Sequence, residues 1–279
     1  MNEFEKKYYE SSAFWENEML QDESNMERFR VTASYIKDDV KTILDAGCGN
    51  GVFLNYLNKE KPQLVLEGVD RSLKALEYVT VKKRVGDISS LPYPGNSFDC
   101  ISCLEVLEHL PIQAYEQALD ELVRVTKKYL ILSVPYNERL EDSHTKCPSC
   151  KSIFNFELHL RRFTDNEFTN MLNTRGFKNV AVIKLNESLV FKYHNKYRRM
   201  FYPEQFFKWN SPVCPLCGYE GSVDKAKVKD RDPGIHISSM QEKPKRKLIS
   251  YFTAIPKMLW PKEKKYYWII GLFQRDKVL

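Results

Sequence analysis

The 279-residue chain has no long apolar run: the longest strongly apolar stretch near its end, Tyr266 to Phe273, is far too short to cross a bilayer. Its first residues, MNEFEKKYYE, are charged and lack the apolar core of a secretory leader, so the chain reads as cytoplasmic. Strong charge of one sign is also missing. Lys and Arg total 43 against 37 Asp and Glu, and the net charge of +6 could attract an anionic substrate, a membrane surface or nucleic acid without saying anything about fold. No internal repeat or low-complexity tract is present, which excludes solenoids and compositional linkers. The seven cysteines are odd in number and no export signal accompanies them, which argues against a disulfide framework. At 43% hydrophobic and 29% charged residues, the composition is that of a globular protein with one large domain or two small ones.

Periodicity divides the chain. Residues 1–40 read as a helical lead-in, a lid, with Met26, Phe29, Ala33 and Ile36 on one face and an aromatic cluster, Tyr8, Tyr9, Phe14 and Trp15, before it. From Thr42 short apolar strands alternate with amphipathic helices. Strands are expected at Thr42–Asp45, Leu64–Val69, up to Val85, Phe98–Cys103, Tyr129–Val134 and Val180–Leu185. Helices are expected through Phe53–Leu57, after a Ser72 cap, over Ile112–Val125, and after a Thr164–Glu167 capping box with Gly176 as its stop. Such alternation predicts an α/β fold with a mostly parallel sheet covered on both faces. Two stretches, 141–159 and 190–263, break the rhythm and read as an insertion into a core formed by 41–140, 160–189 and 264–279.

The stretch Ile43-Leu-Asp-Ala-Gly-Cys-Gly-Asn-Gly51 follows a strand and opens a helix. Its glycines allow a sharp turn and a ligand lying against bare backbone. The G-x-G-x-G spacing differs from the G-x-G-x-x-G of dinucleotide sites. Asp45 stands where a pyrophosphate would otherwise rest on a helix N-terminus, which repels an anion and suits a ligand bearing an amine and a sulfonium. Asp70 ends the next strand, placed to accept both hydrogen bonds of a ribose diol, and Gly86-Asp87-Ile88 ends the third, where a carboxylate and an adjacent N–H can meet an adenine.

These motifs, ILDAGCGNGVFL, LEGVD, VGDISSLPYPGNSFDCISCLEVLEHL and YLILSVP, resemble the class I S-adenosylmethionine-dependent methyltransferases, and are most similar to the broad type 11 subgroup that holds quinone-biosynthesis and many sugar methyltransferases. The likeness covers about residues 40–135. It implies a Rossmann-like seven-stranded sheet whose last strand, Tyr266–Phe273, is antiparallel. It also implies that Asp45, Gly47, Gly49 and Gly51, with Cys48 between them, hold the methionine part of S-adenosyl-L-methionine. Asp70, beside Arg71, would hold the ribose, and Asp87 with Ile88 the adenine. Cys103 and Glu105 would line the methyl-transfer site.

Cys147-Pro-Ser-Cys150 and Cys214-Pro-Leu-Cys217 each have the spacing of a zinc knuckle. Some sixty residues separate them, but each insertion follows a parallel strand and so leaves the sheet at its carboxyl edge, where the two pairs can share a structural Zn²⁺. His144 and His159 flank the first pair as substitute ligands. With His109 they are also the candidate general bases for a hydroxyl acceptor. No carboxylate arrangement reads as a catalytic Mg²⁺ site. The expected acceptor is a small molecule, a sugar hydroxyl or amine of a surface glycan or its nucleotide-linked precursor; the alternatives are RNA or a quinone or lipid precursor. Nucleic acid ranks behind because basic residues are interleaved with acids and no RNA-binding module is recognisable. The stretch Lys243–Lys247 with Tyr251, Phe252, Met258 and Trp260 is a candidate for peripheral membrane contact, and a solvated basic loop is the plainer reading.

Overall fold

The computed structural model describes residues 9–10, 15, 23–191, 209, 211, 213–221 and 261–276. Tyr8, Phe14 and the Lys243–Trp260 stretch lie outside them. Seven strands form one sheet in the order β3-β2-β1-β4-β5-β11-β8: β1 Thr42–Ala46, β2 Val65–Asp70, β3 Lys82–Val85, β4 Phe98–Leu104, β5 Thr126–Pro135, β8 Phe177–Leu185 and β11 Trp268–Arg275. β11 runs antiparallel to both β5 and β8, and every other neighbouring pair is parallel. This is the expected α/β sheet with its antiparallel last strand.

Side-chain alternation shows why both faces are covered. Leu44, Ala46, Ile101, Cys103, Leu130, Leu132 and Ile269 join one apolar cluster, whereas Ile43, Cys100, Ile131, Trp268 and Ile270 join the other. The first cluster is closed by Tyr115, Leu119 and Leu122 of helix α4 (Ile112–Val125) and by Phe168 of α5 (Asp165–Asn170). The second is closed by Phe29 and Ala33 of α1 (Glu23–Ser34) and by Phe53, Leu54 and Leu57 of α2 (Val52–Glu60).

Ser72 caps α3 as expected, its Oγ accepting from the Ala75 N–H, but that helix is a single turn, Leu73–Leu76. The Thr164–Glu167 capping box forms in full at the start of α5. Gly176, at φ 75°, closes a 3₁₀ turn (Asn173–Arg175) beyond α5 rather than α5 itself, because that helix has already ended at Asn170. Thr164→Ala should lower stability by about 1 kcal/mol, read as an earlier urea midpoint with unchanged slope; an unaltered midpoint would show the box to be redundant.

Outside the sheet, β6 (His144–Lys146) and β7 (Ile153–Asn155) form a hairpin, and β9 (Ser188–Phe191) pairs with β10 (Lys262–Lys265). Trp268 pairs with Pro135 on one side and Leu185 on the other, so β5 and β8 release their following segments at the same end of the sheet. Among the described residues no helix is long and apolar enough to cross a membrane.

Candidate functional site

The turn after β1 carries three left-handed glycines, Gly47, Gly49 and Gly51, at φ 77°, 52° and 73°. Space as well as conformation demands them at two positions: a Cβ on Gly47 would stand 2.5 Å from Val106, and one on Gly49 2.8 Å from the Trp15 ring. The turn is pinned to β2, where the N–H groups of Gly47 and Cys48 both donate to the Val69 carbonyl.

Asp45 and Asp70 close this turn from two neighbouring strand ends. Asp45 is buried at 4% exposure and accepts a 2.6 Å hydrogen bond from Ser102 Oγ. Burial pushes its carboxyl up to about 7, with Ser102 and Arg28 opposing and the nearby Asp70 charge reinforcing the shift. Burial likewise raises Asp70, although its two oxygens accept from the N–H groups of Ser72 and Gly49 at 2.8 Å each. Burial thus holds both neighbouring carboxyls above their ordinary range, against the opposing charges of Arg28 and Arg71. Asp87 is different. Burial works upward on it, but both the hydroxyl and the N–H of Ser89 donate to its Oδ1, and these with Arg71 leave it below its usual range. The Ile88 side chain lies in the core. So does Cys103, at 0% exposure, which places its thiol inside the apolar cluster and not on an open wall. The Cys48 thiol is also buried and pushed upward.

Tyr9 and Trp15 contact this turn and its surroundings. Asn50 donates to the Trp15 carbonyl at 2.9 Å and Ser72 Oγ to the Tyr9 carbonyl at 2.9 Å, while the Arg71 guanidinium lies 4.7 Å above the Tyr9 ring. Tyr9 and Trp15 thus lie against the glycine turn and the start of α3.

Glu105, just past β4, has a positive φ of 56° and is fixed from three sides. Ser133 Oγ donates to its Oε1 at 2.7 Å, Trp268 Nε1 to its Oε2 at 2.9 Å, and Arg28 Nη1 stands 3.1 Å from Oε1. Sequence reasoning passed over Arg28, a buried guanidinium (6% exposed) stacked 4.8 Å over Trp268, whose Nε and Nη1 have no hydrogen-bond partner among the described residues. The only sequence signal was a charged residue on the apolar face of α1.

Next along the chain, Glu108 and His109 meet His159, whose ring lies 4.8 Å from that of His109. Burial and the His159 charge push His109 down to about 3, so its imidazole is neutral and a weak base. His159 Nδ1 stands 2.5 Å from Glu138 Oε2; burial works against its charge, but Glu138, Glu108 and Glu157 together raise it to about 9. It is therefore already protonated at neutral pH. Neither histidine is poised to take a proton, and His144, paired with Asn155 in the β6–β7 hairpin, lies outside this group.

The cysteine pairs fold identically. The N–H of Cys147 donates to the carbonyl of Ser152 and that of Lys151 to Cys147; the N–H of Cys214 donates to Tyr219 and that of Gly218 to Cys214. Lys151 and Gly218 both take positive φ, 62° and 70°. The four Sγ atoms lie within 4.8 Å of one another, with Cys147–Cys217 at 3.7 Å and Cys150–Cys214 at 3.8 Å. Thiolates bound at about 2.3 Å to one tetrahedral ion stand about 3.8 Å apart, so the spacing suits Zn²⁺. Trp209, between the rings of Phe154 and Tyr219 at 6.1 and 5.4 Å, packs the second knuckle on the first.

Comparison with known proteins agrees with this architecture. Residues 20–182 match the family model described as a methyltransferase domain. A probable S-adenosylmethionine-dependent methyltransferase of Mycolicibacterium smegmatis is 28% identical over 141 residues, 50% of this chain and 52% of the relative. A ubiquinone biosynthesis O-methyltransferase of Neisseria meningitidis is 26% identical over 82 residues, 25% of this chain and 34% of the relative. The chain thus spans between about a third and about half the length of the curated relatives it matches. A solved SAM-dependent methyltransferase from Archaeoglobus fulgidus shares the fold at a TM-score of 0.54, with 15% identity over 95% of this chain and 100% of the other. With the family model matching more than half of its length, this chain belongs to the methyltransferase domain family.

Proposed function

We propose that the chain transfers a methyl group from S-adenosyl-L-methionine to a small-molecule hydroxyl, most simply one on a sugar of a surface glycan or its nucleotide-linked precursor. The carrying observation is the pair of buried carboxylates, Asp45 and Asp70, around a turn that only glycine can form. The cofactor supplies an electrophilic methyl on a sulfonium, and what the protein adds is alignment in a site shielded from water. In this reading Asp45 faces the cationic end of the methionine part, and the Nε of Arg28, which has no hydrogen-bond partner among the described residues, suits its carboxylate. Asp70 takes the ribose, Asp87 and the Ile88 N–H the adenine, and Tyr9 and Trp15 close over them.

A hydroxyl acceptor is favoured over an amine because a relative's name specifies O-methylation. The four cysteines would hold a structural Zn²⁺, which fixes the insertion (141–159 and 190–263) beside the core, with 1–40 as lid. Incubation with cofactor carrying a labelled methyl group, against panels of nucleotide sugars, quinol precursors and RNA, tests the reading. Label is expected in a hydroxyl-bearing small molecule; label in RNA alone would overturn it.

A further inference from the structure

Glu108, His109 and His159 offer three donor atoms within 4.8 Å of one another. Glu108 is 1% exposed, and neither of its carboxylate oxygens has a hydrogen-bond partner among the described residues. Such a group is unfavourable in either protonation state: ionised, it lacks a donor, and protonated, its O–H lacks an acceptor. Its Oε1 stands 3.8 Å from His109 Nε2, too far for a hydrogen bond. Two donors each about 2.1 Å from one ion stand about 3.0 to 4.2 Å apart, according to their angle, so 3.8 Å leaves room for an ion between them.

The outer contacts point the same way. His159 Nδ1 is held by Glu138 Oε2, so an ion would displace the proton on Nε2 and bind there, in the carboxylate–histidine arrangement that orients imidazoles toward metals.

We propose that Glu108, His109 and His159 bind a divalent transition-metal ion, with Glu138 positioning His159. Two imidazoles and one carboxylate suit Mn²⁺, Fe²⁺, Co²⁺ or Zn²⁺ better than Mg²⁺. Three ligands from the protein would leave coordination positions open to an acceptor. The acceptor class then narrows to small molecules with two neighbouring hydroxyls, a clause that rests on the methyl-transfer reading; ion binding itself does not. The sequence concealed the site because His159 reaches His109 only through the hairpin that follows β5.

The test uses the full chain titrated with MnCl₂ and followed by the electron paramagnetic resonance of free Mn²⁺, an ion that thiolates hold poorly. One equivalent should bind. Glu108→Gln and His159→Gln should each weaken binding tenfold or more, and His144→Gln should bind as the parent does. No saturable binding, or a Glu108→Gln variant that binds normally, overturns the proposal. Should those variants fail to fold, Mn²⁺ added to the parent chain should broaden the imidazole signals of His109 and His159 before that of His144; uniform or absent broadening is the contrary result. Calorimetry with S-adenosylhomocysteine on the same sample separates the two readings. Cofactor binding without Mn²⁺ binding sinks the ion site alone, and Mn²⁺ binding without cofactor binding sinks the methyl-transfer reading alone.

Discussion

Asp45→Asn should weaken binding of S-adenosylmethionine about a hundredfold, the scale of one charge-assisted hydrogen bond lost from a buried site, while making the ligand-free protein more stable above neutral pH. The two effects have one origin. Burial raises the folded-state Asp45 pKa from 3.8 to about 7, so between these values the folded protein binds a proton that the unfolded chain does not. Stability of the ligand-free protein from this group therefore falls as pH rises from about 4 to about 7 and is level above that, a loss of order 4 kcal/mol by linkage. A neutral amide at position 45 removes this dependence. A cationic ligand reverses it in the parent chain, because it favours the ionised carboxylate; affinity should rise by up to about tenfold per pH unit below 7 and then level off. Calorimetric titration and thermal unfolding at pH 5, 6, 7 and 8 check both halves. Undiminished affinity in Asp45→Asn would remove Asp45 from the cofactor site.

How much of this was legible beforehand depends on how far apart the partners lie. The glycine turn, Asp45 and Asp70 are consecutive strand-end features, and their local pattern carries their geometry. The strands were legible for the same reason, although β8 starts three residues before its apolar run, at Phe177, because main-chain pairing with β11 continues past the apolar side chains. Partnerships set by tertiary packing were not legible. Trp268 meets Glu105 across 163 positions, and Arg28 joins them from α1. Glu105 sits in the motif that ends β4, but Arg28 and Trp268 sit in none, and no spacing rule connects the three. The histidines show the other limit. Their residue type suggested proton transfer, but what they do is set by neighbours that pattern cannot supply: burial drives His109 down and Glu138 drives His159 up.

Cys214→Ser should abolish tight zinc binding and, with it, the order of a hairpin that reaches the methyl-transfer end of the sheet. Structural zinc in small knuckles contributes roughly 10–16 kcal/mol of apparent binding energy, far more than the packing of Trp209 between Phe154 and Tyr219 can replace. The damage should not stay local. β7 leads from the Cys147–Cys150 knuckle into Asn155, whose side chain donates to the Leu140 carbonyl and accepts from the Glu157 N–H, and two residues later His159 meets Glu138. Ser143 Oγ ties the same hairpin to both Glu138 and Glu157. Loss of the ion frees the tip of this hairpin, so His159 loses its fixed distance to His109, while the glycine turn, Asp45 and Asp70 are left as they were. The expected signature is therefore split: metal analysis shows about one zinc fewer per chain, proteolysis cuts within 141–159, turnover falls at least tenfold, and affinity for S-adenosylhomocysteine changes less than threefold. If the purified parent chain holds no zinc, or Cys214→Ser retains it, the shared four-thiolate site is wrong. If zinc is lost and turnover persists, the knuckles hold the insertion together without holding His159.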